Sequence, residues 1–405
     1  MATTAGSLDV RAQFPVLSRE GLVYLDSAAT AQKPVAVIEA MDDFLRHHNA
    51  SVHRGVYPLA AESTDRFEGA RRDAAAWLNA PARGTVFTKN ATEAINLVSY
   101  AWGLDNVLAG DRILVTQMEH HSNVVSWQLL ARRVGAFIDY VPVTDDGRVD
   151  LDAYDALLER GPKVVGVVHV SNVLGTINPV AEMVARARAA GAVTVVDGAQ
   201  AVPQIPVDVG AIDADFYVWT AHKLYGPTGL GVLHGRPELL EAMSPFVGGG
   251  HMISRVGDQE STYAEIPAKF EAGTSPIVEA VGMGAAVAWI DALGMENVRA
   301  HELDLTAYAL DRLEGLPGLK LHGPREPEAR GAVISFEVDY AHPHDVAEIA
   351  GRRGVCLRAG HHCAQPLMER LGVGATTRAS FAAHNDRSDV DALVEALGAV
   401  REVFA

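Results

Sequence analysis

Lys223 follows a short apolar run, Asp215-Phe-Tyr-Val-Trp-Thr220, through the corner Ala-His222-Lys223, and precedes the glycine-punctuated stretch Leu-Tyr-Gly226-Pro-Thr-Gly229. The pattern predicts a buried strand, a polar corner and a turn. A lysine at such a strand end can be aimed into a cleft with its amine partly desolvated. Desolvation favours the neutral, nucleophilic amine and suits it to Schiff-base chemistry. Upstream, Val193-Thr-Val-Val-Asp197-Gly-Ala-Gln200 ends a second apolar run on a carboxylate. Such a run does not tolerate an unpaired charge. A protonated pyridine nitrogen would pair Asp197 and keep the ring an electron sink, with Gln200 donating to the ring phenolate. Capping of the following turn is the other role open to Asp197. Together the two segments point to pyridoxal 5'-phosphate (PLP) as cofactor.

Other residues would complete such a site. Lys89-Asn90-Ala91-Thr92-Glu93 follows a strand pattern and opens a helix, whose first amides and Thr92 hydroxyl would cradle a phosphate. Ordinary helix capping would use the same residues. Met118-Glu119-His120-His121-Ser122-Asn123 places an imidazole beside a strand end, able to stack on a flat ring or move a proton. In Arg358-Ala-Gly360-His361-His362-Cys363-Ala364, the guanidinium and imidazoles would favour thiolate at Cys363, and the glycine would leave it accessible. Cys356, in the apolar run Gly-Val-Cys-Leu, suits a buried, inert role. The histidine pairs and Cys363 could instead be metal ligands. Adjacent residues rarely point at one ion, and the usual zinc spacings are absent, so no metal is expected.

The elements that must position these residues alternate. Strand patterns fall at Thr85–Thr88, Arg112–Thr116, Phe137–Val143, Val164–Val170, Val193–Asp197, Phe216–Thr220 and Leu230–Leu233. Helical spacing lies between several of them, as in Val180–Ala190. This predicts an α/β fold, a mostly parallel sheet with helices on both faces and a crevice at the carboxyl ends of its strands. Asn172, Asp197, Gln200, Thr220, His222 and Lys223 all lie just beyond strand candidates. After Pro276 the pattern changes to helices at Val278–Leu293 and Asn297–Leu313, a strand at Ala332–Val338, a helix at Asp345–Arg353, a loop at Arg358–Pro366 and a last helix after Asp389. That part reads as a smaller α+β lobe, onto which Leu8–Phe14 would fold back. The expected division is 15–293 for the large, PLP-binding domain, with 1–14 and 294–405 in the small domain carrying the Cys363 loop.

With 405 residues the chain exceeds the usual single core, consistent with two lobes. The net charge of −17 disfavours nucleic acid and anionic membrane as partners. Only two cysteines, the absence of a signal-peptide pattern and the lack of a membrane-length apolar run point to the reducing cytoplasm.

Val170-Ser-Asn172-Val-Leu-Gly-Thr176, Asp197-Gly-Ala-Gln200, His222-Lys223-Leu-Tyr-Gly-Pro-Thr-Gly229 and Arg358-Ala-Gly-His-His-Cys363-Ala together resemble a cysteine desulfurase of the SUF (sulfur mobilisation) branch of the class V aminotransferase family. The likeness runs from Phe14-Pro-Val-Leu to the Arg378-Ala-Ser block. It implies a fold-type I PLP enzyme, normally a homodimer, that converts L-cysteine to L-alanine and supplies sulfur for iron–sulfur cluster assembly. Selenocysteine lyase activity is the alternative on the same architecture. By the same likeness Lys223 would hold the cofactor, Asp197 its pyridine nitrogen and Gln200 its phenolate. His120 would stack on the ring, and Asn172 would sit near cofactor and substrate. Ala91, Thr92, Thr220 and His222 would surround the phosphate, and Thr274 would reach that of the partner subunit. Arg378 would clamp the substrate carboxylate, Arg358 would line the site, and Cys363 would accept the sulfur. Ala91 stands where some members carry a hydroxyl, and Thr220 where others have serine. His342-Pro-His344-Asp345 resembles desulfurases that pass sulfur to a zinc-containing, SufU-like partner rather than a SufE-like one, with His342 able to take over a zinc ligand position.

Overall fold

The computed structural model describes residues 8–404. Seven strands form the larger sheet: β1 (Thr85–Thr88), β2 (Arg112–Thr116), β3 (Phe137–Val141), β4 (Val164–Val168), β5 (Val193–Asp197), β6 (Phe216–Thr220) and β7 (Gly231–Gly235). Their order is β1-β7-β6-β5-β4-β2-β3. All run parallel except β7, which is antiparallel to both neighbours. Side chains alternate across the sheet. Ile113, Val115, Phe216 and Val218 enter one core, while Leu114, Tyr217 and Trp219 enter the other. Burial on both faces explains why β4 reads Val-Val-Gly-Val-Val without polar alternation.

Strand boundaries depart slightly from the sequence pattern. β3 stops before Pro142, which has no N–H to give a ladder. β4 ends at Val168, because Val170 turns off to bridge Ile177. Leu230 lies outside β7; its carbonyl accepts the Ala221 N–H at the corner instead.

A second, antiparallel sheet contains β8 (Leu319–His322), β9 (Val333–Val338), β10 (Arg358–Gly360) and β11 (Thr376–Ser380), in the order β8-β9-β11-β10. Leu305, Ala309, Phe336, Ala379, Leu393 and Leu397 share its core with flanking helices Met295–Glu314 and Arg387–Phe404. The stretch 358–366 is therefore not all loop. It opens with β10 and closes with the first turn of helix Gln365–Leu371, so the true loop is short.

The N-terminal segment joins both sheets' surroundings. Arg11 Nη1 reaches Asp389 at 2.9 Å, and Phe14 packs against Tyr225, Trp289 and His384. Val23–Tyr24 pairs with Val355–Cys356, and Leu25 enters the smaller core. Asp26 bridges Ser380 of β11, so residues 23–26 pack beside the small sheet although they fall inside the expected 15–293 range.

Candidate active site

The carboxyl ends of β1, β2, β4, β5 and β6 surround one cleft of about 220 Å³. It lies where parallel strands exchange order, the place at which such sheets bind ligands. Lys223, Asp197, Gln200, Thr220, His222, His120, Asn172, Ala91 and Thr92 line it from the large sheet. Arg358, Cys363 and Arg378 close it from the small one. Thr274 alone of the expected residues lies elsewhere, in a hollow shared with Phe270, Glu271 and Glu279.

Lys223 ends a single 3-10 turn, Ala221–Lys223, that reverses the chain after β6. Burial pushes its amine down to about 8, with the Asp197 charge opposing and Arg378 assisting. Asp197 is 3% exposed at the end of β5, and burial raises its carboxyl above the usual range. Its Oδ1 accepts the Ala199 N–H at 3.0 Å. Tyr217 can close on this corner because residue 198 is glycine: a Cβ would lie 2.2 Å from Tyr217 Oη. Gln200 Nε2 donates to Ala28 O at 2.7 Å and its Oε1 accepts from Gln204, which holds the amide against the cleft.

Asn90 caps helix Ala91–Val98 by accepting the Glu93 N–H at 2.9 Å, and Asn90, Ala91 and Thr92 border the cleft. His120 accepts the Ser122 N–H at Nδ1, 3.1 Å away, so a neutral ring carries its proton on Nε2. Burial, followed by the charges of Lys223, His121, Arg358 and Arg378, lowers its pKa to about 3. His120 is therefore a neutral ring, not a standing acid. His222 is likewise held near 4 by burial.

Arg378 is 2% exposed and fixed by two contacts, Nη1 to Asn172 O at 2.8 Å and Nη2 to Asp26 Oδ1 at 3.0 Å. Among the described residues its Nε has no partner. Arg358 is its registered cross-strand neighbour on β10. Like charges directly opposite are unfavourable by themselves. An anion between them removes that cost, and a substrate carboxylate fits.

The Cys363 loop is tethered on three sides. His121 N–H donates to Cys363 O at 2.7 Å, Asn172 Nδ2 to His362 O at 2.7 Å, and His362 Nε2 meets Thr376 Oγ1 at 2.9 Å. His362 and Cys363 both take left-handed backbone, φ 50° and 59°, which is strained for side chains other than glycine. That strain aims Cys363 into the cleft while leaving it partly exposed. Cys356 is half-buried rather than buried, and burial pushes its thiol up.

The arrangement fits PLP on its own evidence. A buried carboxylate ends β5 beside the Lys223 amine, and among the described residues His222 Nδ1, Asn172 Oδ1 and Arg378 Nε are buried without partners. A phosphate or carboxylate would satisfy the donors among these groups, and a cationic ring nitrogen or a substrate amine the acceptors. Several members of the site were not evident from sequence: Asp26, Ala28, Ala29 and Ser122. Only Ser122 carried a signal, a hydroxyl two residues beyond an imidazole.

The profile of the Aminotransferase class-V family matches residues 23–393. A protein of Streptomyces coelicolor named a probable cysteine desulfurase is 49% identical, with both chains covered completely. The cysteine desulfurase of Klebsiella pneumoniae is 48% identical over 98% of each chain. Among solved structures, the Escherichia coli cysteine desulfurase CsdA superposes with a TM-score of 0.91 at 39% identity, covering 98% of each chain. The cysteine desulfurase of Thermococcus onnurineus gives 0.92 at 36%, covering 100% of this chain and 99% of the other. By the extent of the profile match and of these full-length relatives, this chain belongs to the class-V aminotransferase family.

Proposed function

We infer that this chain is a PLP-dependent cysteine desulfurase that converts L-cysteine to L-alanine and leaves the sulfur as a persulfide on Cys363. Full-length relatives named for that activity support the reading. The single observation that carries it is the meeting of Lys223, Asp197 and the Cys363 thiol on one cleft, opposite the Arg358–Arg378 pair.

PLP bound on Lys223 supplies an electron sink for the bonds at the substrate Cα. Lys223, Asp197, Gln200, Thr220, His222, Thr92 and the Ala91 amide are the groups that would hold it. Arg378, with Arg358 beside it, grips the substrate carboxylate and fixes which bond faces the Lys223 amine. The amine, kept near neutrality by burial, takes the Cα proton. Cys363 thiolate then attacks the substrate sulfur. The S–S bond forms as the Cβ–S bond breaks, its electron pair going to carbon. A proton delivered to Cβ, which His120 is placed to relay, and return of the Cα proton by Lys223 complete L-alanine. Asn172 keeps the loop in reach of that sulfur through His362 O.

The finer reading is a SUF-type enzyme acting as a cytoplasmic homodimer. Exposed apolar side chains at Ile38, Leu45, Val56, Tyr57 and Leu59 support a second copy, with Thr274 reaching the partner's phosphate. Two free cysteines support a reducing compartment. The division into 15–293, with 1–14 and 294–405 in a small domain, is part of the same proposal. A zinc-containing sulfur acceptor is supported by His342, an exposed residue whose Nδ1 accepts the His344 N–H at 3.2 Å and whose Nε2 is left for a metal. Substituting Cys363→Ala in the holoenzyme tests the activity. Alanine formation from cysteine collapses if the reading is right. Cysteine turnover at the wild-type rate would contradict it, and release of selenium alone would turn it towards selenocysteine lyase.

A further inference from the structure

Glu119 stands directly before His120, is wholly buried, and plays no part in the mechanism above. Its carboxylate is gripped by three separate elements. Oε1 accepts the Thr116 hydroxyl at 2.6 Å, from the end of β2, and the Val168 N–H at 2.8 Å, from the end of β4. Oε2 accepts Asn123 Nδ2 at 2.7 Å, from helix Ser122–Val134. The Asn123 amide cannot be turned round, because its Oδ1 accepts the Trp127 indole N–H at 2.9 Å. Gly166 on β4 admits that amide, since a Cβ there would lie 2.9 Å from Asn123 Oδ1. The Asn123 amide and the Val168 N–H can only donate, and the Thr116 hydroxyl can donate or accept, so the cage is ready for a carboxylate once a cation stands at Asp197.

Its placement relative to the cofactor groups follows from the sheet. Val168, which Glu119 grips, is the registered neighbour of Asp197, one strand spacing or about 4.8 Å away. Asp197 is the titratable group whose charge bears on Glu119, and burial with that charge pushes Glu119 up to about 8 against the pull of its three donors. A positive pyridine nitrogen on Asp197 would favour the ionised form.

We propose that Glu119 is a positioning residue: it fixes the corner that carries His120 and places a second negative charge behind Asp197, which stabilises the protonated, electron-withdrawing form of the Lys223-bound cofactor. The proposal rests on Lys223 carrying PLP.

The test is a spectroscopic pH titration of the holoenzyme, following the visible band of the Lys223-bound cofactor in wild type, Glu119→Gln and Glu119→Asp. A charge roughly 8–10 Å away at an effective dielectric near 20 shifts such a group by about one pH unit. The expected result is that the band's transition falls by about one unit in E119Q and stays near wild type in E119D. Both variants lower kcat through the displaced His120 and leave KM for cysteine nearly unchanged. Equal transitions in all three proteins would overturn the proposal. If E119Q does not fold, Asn123→Ala reads the same claim. Loss of one donor eases protonation of Glu119, so the transition falls in the same direction, and an unmoved transition overturns it. Failure of the underlying reading looks different, since no Lys223-dependent band would exist to titrate.

Discussion

Asp197→Asn should move activity and stability in opposite directions. In the proposed holoenzyme the carboxylate, 3% exposed, would face a cationic ring nitrogen. Two unit charges about 4 Å apart at an effective dielectric of about 20 attract by about 4 kcal/mol. Asparagine keeps an oxygen for the Ala199 N–H but cannot hold the ring protonated. If most of that interaction is retained in the transition state, desulfuration falls by roughly a thousandfold. The apoprotein behaves otherwise. Burial raises the Asp197 pKa in the folded chain, so the unfolded chain ionises more readily. Wild-type stability is therefore lowered above the unfolded carboxyl value, near 4, and the penalty fades as pH falls below it. Asparagine removes the buried charge, offset by its own extra N–H groups and by loss of the Lys223 attraction. A net gain on the order of 1 kcal/mol at pH 7 follows. Urea unfolding of both apoproteins at pH 7 and near pH 3.5 reads it, with the gain present at the first pH and small at the second. A less stable D197N apoprotein at pH 7, or desulfuration within tenfold of wild type, would refute the reasoning.

Other outcomes follow from the same geometry. Arg378→Ala removes a charge-assisted contact worth about 1.5–3 kcal/mol, so kcat/KM for cysteine drops by roughly ten- to a hundredfold, measured by alanine release. Lys223 has a folded pKa near 8, below the ordinary lysine value of 10.5. Uptake of PLP by the apoprotein, followed by absorbance, therefore quickens as pH rises through about 8, and the stability cost of the buried amine is relieved between about 8 and 10.5. Asn172→Ala cuts one tether of the Cys363 loop and speeds alkylation of Cys363 while leaving the fold's melting temperature within a few degrees. His342→Ala, at an exposed cap, leaves basal turnover intact and lowers stimulation by a zinc-containing acceptor.

Much of the large sheet was legible because burial on both faces leaves continuous apolar runs, and because the polar residues after them must face something. Lys223, Asp197, Asn172 and His120 all sit at such strand ends. What sequence pattern could not show is pairing between distant segments. Asp26, from the N-terminal segment, meets Arg378 on β11, Ala28 receives the Gln200 amide, and Arg358 faces Arg378 across one ladder. No local periodicity encodes those partners. The short strand at 358–360 was hidden for a related reason, since Arg-Ala-Gly has no apolar alternation and is ordered by β11 alone. The neutral state of His120 needed its burial and the Ser122 contact, which only the fold supplies.

The central claim is that sulfur passes from the substrate to Cys363 in a cleft governed by Lys223. Mass spectrometry of peptides after one turnover of the holoenzyme with L-cysteine tests it most directly. The peptide containing Cys363 should gain one sulfur atom, in step with alanine formed, and a Lys223→Ala protein should show neither. Alanine released with Cys363 unmodified, or sulfur added to Cys363 without Lys223, would contradict the account.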